Sequence, residues 1–171
     1  MRFLNFLRPA VFLEVGLILT FTHELNTKVG LTALTSFGIG FALVNVFVTM
    51  VQKRKLTDVE TLPLTTVALL MALVAAQVPA SLGAITYRIL VSAWGFISGG
   101  IEFELARRAG FNTRKGRDHR ISLFLNLALG VLFAVAHLGP RDSVGFLGAY
   151  MTITAVFTGI AVYSEDNQKS A

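Results

Sequence analysis

Six stretches of this chain are long, apolar and almost free of charge, and the charged residues are swept into the gaps between them. They lie near residues 6–23, 29–51, 62–82, 84–106, 121–138 and 143–163. Crossing a bilayer takes about 20 mainly apolar residues in a helix. Inside hydrocarbon every backbone N–H and C=O must find its partner within the protein, which a helix supplies by itself. The pattern therefore predicts an all-α integral membrane protein of six transmembrane helices. Composition agrees, because charged residues make up only 15% of the chain against roughly 25% in a soluble domain. Mean hydropathy is +0.66. The expectation is a single transmembrane domain over residues 1–171, with a short polar tail from 164 to 171.

Arg2 and Arg8 ahead of an apolar run give the first segment the layout of a signal peptide. The residues that follow are His23, Glu24, Leu25 and Asn26 rather than a small-residue cleavage site, so the segment is read as a retained helix. The chain contains no cysteine, which excludes disulfides, thiolate metal sites and thiol chemistry. A net charge of +5 invites a nucleic-acid reading. The basic residues are better explained as topogenic, so no nucleic-acid partner is expected.

Their distribution gives an orientation. Arg2, Arg8, Lys53, Arg54, Lys55, Arg107, Arg108, Arg114, Lys115, Arg117, Arg120 and Lys169 fall on one side of the expected spans; Lys28, Arg88 and Arg141 fall on the other. Basic loops stay in the cytoplasm, which predicts cytoplasmic termini and an even number of spans in the cell (inner or plasma) membrane. The three outer connections are short, and turn residues Pro79, Gly83, Gly139 and Pro140 mark two of them. The helices are thus expected as three antiparallel hairpins, residues 1–52, 53–108 and 109–163.

The hairpins look like copies of one unit. The second helix of each carries an aromatic residue with a small residue five positions on: Phe37 with Ala42, Trp94 with Gly99, Tyr150 with Ala155. Each also has a small-xxx-small step, at Ser36/Gly40, Gly95/Gly99 and Gly145/Ala149, which lets helix backbones approach closely. Gly95, Gly99, Gly145 and Ala149 are therefore candidate packing residues. Gly16 and His23 in the first hairpin match Gly130 and His137 in the third; Leu70 and Gln77 stand there in the second.

The segment 92–108 (SAWGFISGGIEFELARR) joins an aromatic residue, a glycine, an isoleucine, a carboxylate and a basic exit. With the stretch Gly148-Ala149-Tyr150 behind the Pro140 turn, it resembles the HdeD-type acid-resistance membrane proteins. The likeness covers most of the chain in layout and residues 92–108 and 139–160 at motif level. The first hairpin departs from it, with Glu14 in mid-span and no proline in its outer turn. The resemblance implies a small inner-membrane protein linked to envelope or acid stress, and brings no catalytic residues with it.

Ionisable and amide groups at membrane depth are costly, about 2.5–3.5 kcal/mol for a charged residue at a helix centre on insertion scales. Glu14 is the first candidate, either a protonatable site or a structural carboxyl near Arg8. Glu102 shares a helical face with Ser98 and Gly95, a stripe that serves as a packing seam or lines a polar cleft. Glu104 is placed to pair with Arg108. Asn45 and Asn126 are expected to hydrogen-bond between helices. His23 and His137, near the outer surface, are candidate pH sensors; they lack a third ligand for a metal. The cluster Arg107, Arg108, Arg114, Lys115, Arg117 and Arg120 is expected to attract anionic lipid head groups or a docking partner. Arg117, Asp118, His119 and Arg120 form the one polar interface cluster a lipid enzyme would use, and are read as solvated charge.

No phosphate loop, Ser-His-Asp order or HExxH helix appears. No enzymatic activity, cofactor or metal is expected. The sequence reading is a non-enzymatic structural or accessory membrane protein, associating with itself or a membrane partner. The alternative is a transporter or channel for protons or small solutes using intramembrane carboxylates.

Overall fold

The computed structural model describes residues 2–53 and 62–168, and these are helical with short connections. Arg54, Lys55 and Lys169, counted above on the basic side, lie outside the described residues. A one-turn helix α1 (Arg2–Asn5) leads into α2 (Leu7–Phe21), α3 (Thr27–Val51) and α4 (Leu62–Gln77). A 3-10 turn (Ala80–Leu82) then precedes α5 (Gly83–Ala109), α6 (Arg114–Val135) and α7 (Pro140–Gln168).

Four of these are long and apolar enough to cross a membrane: α3, α5, α6 and the Pro140–Ser164 part of α7. Helices α2 and α4 have 15 and 16 residues, short of the roughly 20 that spanning takes. The first and third expected spans are thus shorter helices than the sequence predicts.

Helix starts follow local chemistry. The Asn26 carboxamide accepts from Val29 N at 3.0 Å, and the Thr113 hydroxyl accepts from Gly116 N at 3.0 Å. Each satisfies an amide that the helix leaves free. Gly110 stops α5 in the left-handed region (φ 85°), where its missing Cβ removes the steric penalty. Pro140 occupies the first helical position of α7, where its absent N–H costs nothing.

The helices form two shells. Helices α3, α5 and α7 touch one another at the centre. Helices α2, α4 and α6 lie outside them, and the tightest pairs are α5 with α6, α2 with α7 and α3 with α4. Burial agrees: in the most apolar 18-residue stretches, 44, 39 and 39% of residues are buried in α3, α5 and α7, against 22% in α6. Helix α2 closes against the last helix, α7, so the circle is complete.

Small residues permit each tight pair. A Cβ added to Gly38 would lie less than 3.0 Å from the Ala68 carbonyl and the Ala72 side chain. One added to Gly95 would strike the backbone of Asn126 and Gly130, and one added to Gly16 would strike Thr152. Positions 38, 95 and 152 are equally spaced in the chain and occupy equivalent places on the three inner helices. The aromatic residues Phe37, Trp94 and Tyr150 are all buried. Phe37 and Trp94 meet edge to face with ring centroids 5.2 Å apart, the arrangement that aligns a positive ring edge with a negative face. Outside, Leu43, Phe47, Leu73, Phe124 and Val135 are among many exposed apolar side chains. Such a surface suits a lipid environment.

Candidate functional site

The interior is filled at one end and hollow at the other. Towards the outer turns Leu19, Leu34, Tyr87, Val91, Phe133, Leu147 and Met151 are almost wholly buried and pack solidly. Towards the basic end a cavity of about 320 Å³ runs between the helices. Its floor is Phe12, Phe41, Trp94, Asn126 and Tyr150; its rim includes Asn5, Arg8, Gln52, Lys115 and His119. Trp94, Ser98 and Glu102 stand four residues apart along α5, so one face of that helix carries an indole, a hydroxyl and a carboxylate into the cavity. At 1.5 Å per residue the ladder is about 12 Å long.

Two interhelical links set the walls. His119 Nδ1 lies 2.7 Å from Glu102 Oε2, joining α6 to α5 with both side chains four-fifths buried. The Tyr150 hydroxyl donates to Asn126 Oδ1, joining α7 to α6. At the rim Gln52 Nε2 donates to Asn5 Oδ1 at 2.8 Å. Three more polar atoms lining this space have no hydrogen-bond partner: Trp94 Nε1, Ser98 Oγ and Thr154 Oγ1. Their residues are 3, 3 and 8% exposed. Trp94 and Thr154 sit close enough to the Tyr150 hydroxyl to interact with it, at a geometry short of a full hydrogen bond. Leaving a buried polar group unpaired costs about 1–3 kcal/mol, so three in one cavity describe a surface made to be wetted or occupied.

Of the residues picked from sequence, Glu102 and Asn126 are brought together in this cavity. Glu14 is not: it is exposed on the outer face of α2. Asn45 is fully buried between α3 and α4, where its Nδ2 donates to Thr65 Oγ1 at 3.2 Å. His23 and His137 are exposed and do not line this cavity. Among the described residues no cluster of three metal-ligating side chains occurs.

Gly95 and Gly99 face α6. In α7 the close approach belongs to Gly148 and Thr152, which meet α2; Gly145 is half-buried and Ala149 is exposed. That pair is therefore off the seam. Arg107 and Arg108 both bind Glu104, at 2.8 and 2.7 Å. Arg114, Arg117 and Arg120 are exposed, and Lys115 is exposed at the cavity rim.

Ser98 lines the cavity with Glu102, the polar-cleft side of the two readings of that stripe, whereas His119, Trp94, Tyr150 and Thr154 gain roles that the sequence reading did not give them. One signal was available: Trp94 lies two turns from Glu102 on the face that Ser98 shares. Compared with family models, curated proteins and solved structures, the chain matches none of them.

Proposed function

We propose that the protein is a small multi-pass membrane protein that takes a small polar solute into the cavity between its helices. This is the solute-handling reading of the chain rather than the accessory one. The observation that carries it is the group of three buried, unpartnered polar atoms at Trp94, Ser98 and Thr154 around one hollow. A merely structural bundle gains nothing from leaving such groups unpaired. Binding sites between helices of a bundle are typically apolar clefts with a few convergent polar groups, and this cavity has that composition.

In this reading α2 and α4 complete the crossing with the four longer helices, as three hairpins in the cell membrane. The basic connections and the cavity mouth face the cytoplasm, as the charge bias supports. Arg107, Arg108, Arg114, Lys115, Arg117 and Arg120 then meet anionic head groups. An accessory or envelope-stress role rests on the sequence resemblance, and no feature of the cavity calls for it.

The test is thermal unfolding of the purified protein against a panel of small polar solutes. A solute that binds only the folded state raises Tm by mass action. Ser98→Leu, which fills the hollow, removes the response. A panel in which no solute moves the wild type more than the filled variant sinks the reading.

A further inference from the structure

Resting on that reading, we infer that the cavity floor recognises an uncharged carbonyl-bearing solute of the small-amide class. The argument is a count of donors. The indole N–H of Trp94 donates and never accepts. The Asn126 carbonyl already accepts from Tyr150, and its NH2 adds two further donors. The hydroxyls of Ser98 and Thr154 donate as readily as they accept. The floor therefore asks for an acceptor.

Charge narrows the class further. The ionisable groups lining the cavity are Glu102, His119, Arg8 and Lys115. Glu102 and His119 are paired with each other, two turns of α5 away from Trp94. None of the four belongs to the floor, where Phe12 and Phe41 supply the remaining wall. Carrying a bare carboxylate into such apolar surroundings costs far more than carrying a neutral carbonyl, which needs only its hydrogen bonds replaced. A cation would meet only the neutral hydroxyl oxygens of Ser98, Thr154 and Tyr150 there, with no unpaired carboxylate to balance its charge. A neutral amide or similar carbonyl satisfies the donors and leaves its small apolar body against the two phenylalanine rings.

The chain reports on this site itself, because Trp94 is its single tryptophan. The probe is acrylamide, an uncharged amide that quenches indole fluorescence, applied to the full chain in nanodiscs of zwitterionic lipid. Quenching should be saturable and relieved several-fold by excess acetamide, with acetate and ethylammonium at equal concentration without effect. Ser98→Ala and Thr154→Val, which each remove one hydroxyl and little volume, should weaken the acetamide effect several-fold while leaving helix content unchanged.

Three results overturn the inference, and they separate it from the proposed function. Linear quenching that acetamide does not relieve means a wetted hollow without selectivity; the solute-class inference falls and the open cavity stands. Competition by acetate as strong as by acetamide assigns the floor to anions instead. No quenching by acrylamide closes the cavity, and both readings fall together.

Discussion

His119 Nδ1 and Glu102 Oε2 are 2.7 Å apart, and that contact ties α6 to α5 at the mouth of the cavity. With both side chains about 80% buried, water screens the pair only partly. A hydrogen bond to a charged group contributes about 1.5–3 kcal/mol. A double-mutant cycle with Glu102→Gln and His119→Gln, read by denaturant unfolding in detergent, should return a coupling of about 1–3 kcal/mol. Additive single effects mean that the two side chains do not meet.

The α5–α6 seam has no spare volume at Gly95. A side chain there meets the backbone of Asn126 and Gly130, which cannot swing aside. Gly95→Val should cost about 1–3 kcal/mol by overpacking. Gly100, five residues further along the same helix and on another face, has nothing within 4 Å of an added Cβ. Gly100→Ala should be neutral or stabilise by up to about 1 kcal/mol through helix propensity. Equal melting temperatures for the two variants would contradict the seam.

Glu14 faces outwards, not into the cavity. Its carboxyl is then an expense of insertion and no part of solute binding. Glu14→Leu should raise the melting temperature and leave acrylamide access to Trp94 unchanged. A variant that loses cavity access shows Glu14 reaching inwards.

Because the chain has no cysteine, single-cysteine labelling is clean. Lys115→Cys lies at the cavity rim and Arg141→Cys at the opposite, outer-turn end. In intact cells an impermeant maleimide should label the second and spare the first, which becomes reactive only after the cells are opened. The reverse pattern inverts the protein and turns the cavity to the outside.

How far the sequence speaks differs from element to element. The apolar runs and their punctuation at Pro79 and Pro140 are legible, since hydrocarbon solvent and helix ends each impose a strong local rule. The recurrence of Phe37, Trp94 and Tyr150 is legible too, through spacing, and all three are buried. Rotation of each helix about its axis is not. A helix apolar all round has no polar side to turn outwards, so Glu14 and Glu102 look alike in sequence and face opposite ways in the fold. The same ambiguity places Ser36/Gly40 and Gly145/Ala149 beside the seams that Gly38, Gly148 and Thr152 occupy. Pairing is equally hidden. Short outer turns suggest that α2 packs on α3, yet α2 packs more closely on α7, at the far end of the chain.

The solid half of the interior, from Leu34 and Tyr87 to Met151, has an electrical consequence. In an energised membrane a hollow filled with water or polar solute conducts, and the packed layer does not. Nearly all of the transmembrane voltage, worth about 2.3 kcal/mol per elementary charge for each 100 mV, then drops across that layer. Glu102 and His119 sit close to the potential of the solution at the basic end, and a neutral solute resting on Trp94 is indifferent to the gradient beyond it.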